Sequence, residues 1–334
     1  MKKLVIGGIA CVLVNVTGSI NTIAVSQETP RPEEKIEQRQ TPDKTKDTAK
    51  PFTLAKPTIK ILQYGSEPKQ KLRLKPVAGT EQKSTMTLDM NMSMSVKGRQ
   101  VPNIKLPGTL VNIDTKVTKV EPNGDVYYEF VYSDIEVTKK AEVQPELVKA
   151  MESKIKQLKG IKGEGIIDER GNTKKIDIDL TQLKDPTLKP MLEQLSNSLS
   201  QMSSSIPNEA VGVGAQWLVT NQITSNGINI TQLETYELIS IENGVATTKV
   251  TLEQQGKPNQ EINLPGLPKG AKVTLKSYSG SGEGESQFGL GRLMPIKSVV
   301  NMNSNVQMSA KPRADAKETM MNQKIIMKMS IESK

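Results

Sequence analysis

The sequence predicts a mainly β fold with a minor helical part: two related, strongly curved antiparallel sheets, or half-barrels, with two amphipathic helices. Three observations support this prediction. Apolar residues recur at every second position over several long stretches, Asn-Gly pairs separate some of these stretches, and short motifs from the first half recur in the second. A period of two is the side-chain period of a strand, and Asn-Gly favours tight hairpin turns.

The first 26 residues are expected to form an export signal. Two lysines precede an apolar run that ends at Val16, and Ala24-Val25-Ser26 supplies the small residues of a signal-peptidase site. We therefore predict cleavage between Ser26 and Gln27. Cys11 lies inside the signal, which leaves open whether this cysteine is lipidated or the signal is retained as an anchor. The chain is expected to be exported to the periplasm or extracellular space, with membrane association as an alternative.

Residues 27–58 are rich in Pro, Thr, Lys and Glu and contain almost no large apolar group, so they are predicted to be a disordered linker. Folded structure is then expected to begin near Ile59. We predict a first β-rich repeat over residues 59–184, a connecting helix over 185–206 and a second β-rich repeat over 207–334.

The strands are predicted from runs of alternating apolar residues. The clearest runs are Met86 to Val96, Val126 to Tyr132, Val300 to Met308, and Ile325 to Ile331. No helical period fits these runs.

Hairpin turns are expected at Asn123-Gly124, at Asn243-Gly244 and between Asp168 and Asn172. The last of these contains Gly171.

Two segments have a helical period instead. The first runs from Pro145 to Lys159, with proline at its start and Gly160 as its C-terminal cap. The second opens at Asp185-Pro186 and is predicted to end near Ser204, with leucines and methionines three and four positions apart.

An internal duplication is predicted from motifs that recur at nearly equal spacing. Asn123-Gly124 recurs as Asn243-Gly244, and Gly163-Glu164-Gly165 recurs as Gly282-Glu283-Gly284. Both Gly-Glu-Gly triplets precede a short strand. Equal order and spacing are what a duplicated sheet would produce.

The composition excludes several kinds of chemistry. The chain has no His and one Cys, which removes the Ser-His-Asp and Cys-His triads and most metal sites. Ser153 and Lys156 fit Ser-x-x-Lys, but the companion motifs of that enzyme class are missing. The net charge of +9 comes from scattered lysines rather than from a dense basic patch. We expect no enzyme activity, no cofactor and no nucleic-acid partner.

Methionine is the unusual component, because seven of the 15 methionines occupy strand positions where Val, Ile and Phe are usual. Methionine is flexible and polarisable, so it suits an adaptable apolar cavity better than a uniquely packed core. Three interpretations remain open: plain core filling, an apolar ligand such as an acyl chain, and Cu(I) binding by thioethers. The candidate lining residues are Met90, Met92, Met94, Met302, Met308, Met327 and Met329.

The stretch from Ile206 to Trp217 resembles the signature of a family of uncharacterised bacterial secreted β-rich proteins. In this chain the signature Pro-x-x-x-Val-Gly-x-Gly-x-x-Trp begins at Pro207 and includes Gly212 and Gly214. The resemblance implies an exported β-rich protein and no known activity. The layout is also loosely similar to bacterial envelope carriers of lipids and lipoproteins, in which a curved sheet holds acyl chains against helices.

Together these observations predict a non-enzymatic exported envelope protein that binds an apolar ligand between curved sheet and helices. The alternative is a structural or scaffolding envelope protein with a filled core and no small ligand. The expected partners are a lipid or another apolar molecule in the first case and envelope proteins in the second. The identity of the ligand, the partner and the oligomeric state do not follow from the sequence.

Overall fold

A computed structural model describes residues 57–138, 143–179, 181, 206–225, 228–262, 270–313 and 315–334. The predicted export signal, nearly all of the predicted linker and nearly all of the predicted connecting helix lie outside these residues. Strand β1 starts at Thr58, one residue before the expected start of folded structure.

The described residues form sixteen strands, most of them long. The strands are β1 (Thr58–Gln63), β2 (Gln70–Lys71), β3 (Glu81–Val96), β4 (Arg99–Lys105), β5 (Gly108–Val120), β6 (Val126–Thr138), β7 (Lys162–Ile167), β8 (Thr173–Ile178), β9 (Ala210–Val211), β10 (Gln216–Ser225), β11 (Ile228–Glu242), β12 (Val245–Gly256), β13 (Gln260–Glu261), β14 (Lys272–Gly289), β15 (Lys297–Lys311) and β16 (Thr319–Ser333). The mainly β class predicted from alternation is confirmed.

Fourteen of these strands form one antiparallel sheet rather than the two predicted sheets. Its order is β1-β10-β11-β12-β14-β15-β16-β3-β5-β6-β7-β8, with β4 beside β3 and β13 beside β14. The prediction of two separate sheets is therefore not confirmed, and the helix predicted to connect them lies almost entirely outside the described residues. The C-terminal strand β16 pairs with β3 over thirteen residue pairs, from Met321↔Val96 to Ser333↔Ser84. This ladder satisfies backbone groups that two separate sheets would leave at open edges.

Several long strands of the large sheet, such as β12 and β15, alternate between a buried and an exposed side. We call the buried side, which carries Tyr128, Phe130, Met302 and Met327, the inner face. On β15 the alternation is strict from Ser298 to Met308, with every inner residue buried or half-buried. The period of two in the sequence therefore identified the buried face of these strands correctly.

One helix lies within the described residues. Helix α1 (Pro145–Ile155) has proline in its first turn and continues as a short 3-10 turn over Lys156–Leu158. The backbone turns away from the helix axis at Gly160, two residues after the 3-10 turn. The φ of Gly160 is +83°, which glycine adopts readily and other residues rarely do. Val148 packs against Val137 of β6. Among the residues that the structure describes, no helix has both the length and the apolar character needed to span a bilayer.

The segment Tyr64–Lys75, which we call the strap, ties together turns at one end of the sheet. Leu74 N–H donates to the carbonyl of Glu169 in the β7–β8 turn at 2.7 Å, and Lys75 N–H donates to the carbonyl of Leu290 after β14 at 2.6 Å. In a flat sheet the ends of β14 and β7 would be about 29 Å apart, six strand spacings. Adjacent residues of the strap bring the two carbonyls to within about 9 Å of each other, so the sheet is strongly curved.

The strap also closes this end of the interior. Leu72 is fully buried and Leu74 nearly so, and both belong to the main apolar core. Arg73 lies between them and donates five hydrogen bonds. Its Nε binds Glu169 Oε1 at 2.8 Å, Nη1 binds the carbonyls of Leu72 and Pro207, and Nη2 binds the carbonyl and Oδ1 of Asn208.

The glycines of the sequence signature let the strap approach the sheet. Gly212 N–H donates to the Tyr64 carbonyl and Ser66 N–H donates to the Val213 carbonyl, both at 2.9 Å. A Cβ on Gly212 would lie 1.7 Å from the Ser66 carbonyl oxygen. Trp217, which ends the signature, is fully buried and stacks on Tyr236, with ring centroids 5.7 Å apart. The signature is therefore the surface on which the strap rests.

The two predicted repeats show the same local pairing, although the duplication itself stays a prediction. In the first, Tyr128 and Phe130 of β6 pair with Gly165 and Gly163 of β7. In the second, the corresponding strand β12 pairs Val250 with Gly284 and Leu252 with Gly282 of β14. Strand β1 departs from the predicted division, because it pairs with β10 and not with a strand of the first repeat.

Candidate functional site

A cavity of about 570 Å³ lies along five neighbouring strands, β3, β5, β6, β7 and β8. Each strand contributes three consecutive residues to its lining. The middle residue of each triplet belongs to one row across the inner face, in the order Gln82, Thr115, Phe130, Gly163 and Ile178. Cavities of this size are typical of sites for small molecules.

The row is polar at one end and apolar at the other. Gln82 and Thr115 are direct cross-strand neighbours, and they are 4% and 3% exposed. Within the described part of the chain, Gln82 Nε2 and Thr115 Oγ1 have no hydrogen-bond partner. A buried polar atom without a hydrogen-bond partner destabilises the folded state by about 1–3 kcal/mol, so two adjacent ones are unusual in a protein core.

The orientation of the Gln82 side chain is fixed by two backbone bonds. Its Oε1 accepts hydrogen bonds from Leu293 N–H at 2.7 Å and Met294 N–H at 3.0 Å. Because the carbonyl end of the amide is held in this way, the NH₂ end is the part that remains without a partner. Gln82 Nε2 is therefore a buried donor with almost no surface that is accessible to solvent.

The apolar end of the row is built by an aromatic ring lying over a glycine. A Cβ on Gly163 would lie 2.3 Å from Phe130 Cζ, so a larger residue there would displace the ring. Gly165 and Tyr128 repeat the arrangement, with a closest approach of 2.4 Å. The Gly-Glu-Gly triplet is therefore required by the rings of β6, and it leaves Phe130 and Ile178 as the apolar wall.

The charges around the cavity are mainly negative. Its lining includes six carboxylates and three lysines. One lysine, Lys116, is paired with Glu81 at 2.9 Å, and this pair lowers the pKa of the Glu81 carboxyl. Because these charged residues flank the inner-face row along each strand, their side chains lie on the outer face, where Lys175 contacts Glu164 at 3.7 Å and Asp177 at 2.5 Å.

The methionines predicted to line a ligand site lie elsewhere on the inner face. Met302, Met327 and Met90 form one cross-strand row over β15, β16 and β3. Six of the seven predicted residues are buried, and Met94 is half-buried. Glycines on β14 make room for them: a Cβ on Gly280 would lie 3.1 Å from Met302 Cε. None of the seven lines the 570 Å³ cavity.

A second cavity, of about 400 Å³, lies over β14, β15, β16 and β3, and Met94 is part of its lining. Most of the other lining residues are Ser, Asn and Gln. Its lining also includes Gln323, which donates to the sulfur of Met92 while its own Oε1 has no partner within the described residues. The ligand role predicted for the methionines therefore stays a prediction.

A chain of buried polar side chains crosses the inner face beside the methionine rows. Tyr236 donates to Glu234 Oε2 at 2.6 Å, and Gln232 donates to the other oxygen of the same carboxylate. Gln254 Nε2 then donates to Gln232 Oε1 at 2.5 Å, and Tyr278 donates to Gln254 Oε1 at 2.6 Å. Because these side chains are hydrogen-bonded to one another, the network fixes their positions in the core.

Burial raises the pKa of the Tyr128 phenol above its ordinary value of 10, with Tyr132 adding to the effect. The unfolded chain ionises at the ordinary value, so this contribution to stability is complete below about pH 10 and is lost as the pH rises towards the folded pKa. We expect the free energy of unfolding of Tyr128→Phe to fall less than that of the wild type between about pH 9 and 11. Urea titrations across this range measure the difference, and parallel profiles would contradict it.

No signal in the sequence marked the 570 Å³ cavity: two of its strand pairs are predicted hairpins, but no local turn sets the pairing of β3 with β5 or of β6 with β7. Gln82 binds backbone groups more than 200 positions away. The one local clue was the Gly163-Glu164-Gly165 triplet, which sequence analysis used only as evidence for duplication. Asp168 and Glu169 have structural roles in the β7–β8 turn. Asp168 Oδ1 accepts hydrogen bonds from the backbone N–H groups of Arg170 and Asn172, and Glu169 forms an ion pair with Arg73.

No protein-family description matches the chain, and no curated protein matches it. Among solved structures, the outer membrane protein OprG from Pseudomonas aeruginosa aligns with 78% of this chain and 98% of its own, at 7% identity and a TM-score of 0.21. OccAB2 from Acinetobacter baumannii aligns with 75% of this chain and 98% of its own, at 5% identity and a TM-score of 0.13. Scores this low carry no argument about fold or function.

Proposed function

We propose that this protein is a non-enzymatic binding protein of the bacterial envelope that holds an apolar molecule against the inner face of its curved sheet. The observation that carries the proposal is the 570 Å³ cavity along β3 and β5–β8. Phe130 and Ile178 give it an apolar wall of the kind that apolar ligands contact.

The sequence features of the N-terminus support the proposed location. An export signal followed by a polar linker is what a protein of the periplasm or cell surface carries. Binding without catalysis agrees with a chain that lacks histidine, the most frequent general acid or base.

The proposal is tested with the apolar fluorophore diphenylhexatriene and the full chain. We expect saturable binding that Ile178→Trp weakens about tenfold or more, because the larger side chain fills the cavity, and this corresponds to about 1.4 kcal/mol. The matched control is Ile326→Trp, since Ile326 is 45% exposed on the opposite face of the sheet. Absence of saturable binding, or equal weakening by both variants, would overturn the proposal.

A second candidate function, docking of another envelope protein, is favoured by an exposed apolar patch beside the strap. Leu62, Tyr64 and Val213 are each about half exposed, and backbone bonds place the last two next to each other. Apolar side chains grouped in this way are typical of a contact surface. This function predicts that Tyr64→Ser abolishes a pull-down partner from the envelope without changing diphenylhexatriene binding.

A further inference from the structure

We propose that Asn243 is a modification site at which the side-chain amide converts spontaneously to a carboxylate, and that the fold protects Asn123 from the same reaction. Both residues precede a glycine, and both are exposed in turns between paired strands. Their reactivity therefore differs through their hydrogen bonds rather than through exposure. A third pair, Asn226-Gly227, lies outside the described residues. The modification is independent of the proposed function.

The reaction is intramolecular and consumes only water. The backbone nitrogen of the glycine loses its proton and attacks Cγ of the asparagine, so an N–Cγ bond forms, the Cγ–Nδ2 bond breaks and ammonia leaves. Water then opens the cyclic imide at one of its two carbonyls. Opening at Cγ gives aspartate, and opening at the backbone carbonyl gives isoaspartate, in which the main chain contains an additional carbon. A following glycine favours the attack because it has no side chain to obstruct it.

Asn123 is restrained by three hydrogen bonds. Its Nδ2 donates to Asp125 Oδ2 at 3.0 Å, and its Oδ1 accepts from Asp125 N–H at 3.0 Å. The attacking group is also occupied, because Gly124 N–H donates to the Glu121 carbonyl at 2.9 Å. The two side-chain bonds must break before Cγ of Asn123 can turn towards the nitrogen of Gly124. The third bond opposes loss of the proton from that nitrogen.

Asn243 lacks these restraints. Within the part of the chain that the structure describes, neither its side chain nor Gly244 N–H forms a hydrogen bond. The two residues have φ values of +50° and +73°, and nothing lies within 4 Å of the position of a Cβ on Gly244. The side-chain amide can therefore rotate, and water can reach both carbonyls of the imide.

The turn that contains Asn243 is linked to the strap by backbone bonds. The Gly244 carbonyl accepts from Leu290 N–H at 2.7 Å, and the Leu290 carbonyl accepts from Lys75 N–H at 2.6 Å. Isoaspartate in place of Asn243 lengthens the main chain directly before Gly244 and so displaces its carbonyl from Leu290. Modification of Asn243 is therefore expected to loosen the end of the sheet to which the strap is attached.

The test incubates the full folded chain at mildly alkaline pH and follows both sites by peptide mass spectrometry, since replacement of NH₂ by OH raises the peptide mass. A glutamate-specific protease separates Asn243 from Asn226, because Glu242 lies between them. We expect Asn243 to deamidate about tenfold faster than Asn123 or more, because two hydrogen bonds hold the Asn123 side chain. Equal rates at the two sites, or faster reaction at Asn123, would overturn the proposal.

The control repeats the incubation in urea, where the chain is unfolded and the hydrogen bonds of Asn123 are absent. We expect the two asparagines to react at similar rates under these conditions. If Asn243 still reacted much faster in urea, the difference would come from the neighbouring residues in the sequence. The protection attributed to the fold would then be refuted.

Hydrogen exchange at Leu290 N–H tests the link to the strap. We expect faster exchange in the isoaspartate form, because the bond from Leu290 to the Gly244 carbonyl is weakened. Asn243→Asp is the matched control, since it adds the same negative charge and leaves the length of the main chain unchanged. Equal exchange at Leu290 in the isoaspartate form and in this variant would contradict the loosening of the strap.

Discussion

Gly212→Ala is expected to detach the strap from the sheet and to lower the free energy of unfolding by about 3 kcal/mol or more. The new methyl group would lie 1.7 Å from the carbonyl oxygen of Ser66, which is far inside van der Waals contact. Neither backbone can move away freely, because two hydrogen bonds of 2.9 Å join Tyr64 to Gly212 and Ser66 to Val213. Relief of the clash therefore requires that these bonds break at the start of the strap.

The control for this prediction is Gly244→Ala. Gly244 has a φ of +73° and open space around the position of a Cβ, so only the strain of the backbone conformation is added. That strain costs about 1 kcal/mol. Urea unfolding of both variants gives the comparison, and equal losses of stability would show that the close approach of the strap is unimportant.

Arg73→Ala is expected to cost about 3–5 kcal/mol, because it removes the guanidinium that joins the strap to two other parts of the chain. Arg73 is only 8% exposed, and its five hydrogen bonds reach Leu72, Glu169, Pro207 and Asn208. Two of its acceptors, the backbone carbonyls of Leu72 and Pro207, would remain buried without a donor. We also expect Leu74 N–H, which binds Glu169, to lose its protection against hydrogen exchange.

Arg313→Ala is the matched control for the loss of an arginine. The side chain of Arg313 is 74% exposed and its ion pair with Asp315 has a length of 3.0 Å. Such a surface pair contributes about 0.5 kcal/mol or less. If both variants lost similar amounts of stability, or if exchange at Leu74 stayed slow in Arg73→Ala, the strap would not depend on Arg73.

The candidate methionines lie on the same inner face as the cavity but outside its lining. Three of them are on β3 and four are on β15 and β16, and glycines of β14 accommodate Met302. A flexible side chain in this place lets neighbouring strands adjust without leaving voids. Loss of ligand binding on Ile178→Trp, with the methionines unchanged, would assign the site to the first half of the sheet.

The sequence by itself determined the local structure of this protein. The period of two placed Met302 and Met327 on a buried face, Asn-Gly marked two hairpins, and the apolar stripe after Pro145 marked α1. Each of these features depends on residues that are neighbours along the chain, so the pattern and its physical cause lie within one short segment.

Only the tertiary structure decided how the strands join. Nothing local distinguishes two sheets from one, because the edge of β3 accepts β16 through backbone groups that every residue carries. The strap likewise joins residues that are far apart in sequence, and its contacts reveal the curvature of the sheet. In the row from Gln82 to Ile178, no local turn sets the pairing of β3 with β5 or of β6 with β7. Such contacts depend on which strand edges and apolar faces remain uncovered in the whole molecule. The alternation within a single strand does not specify them.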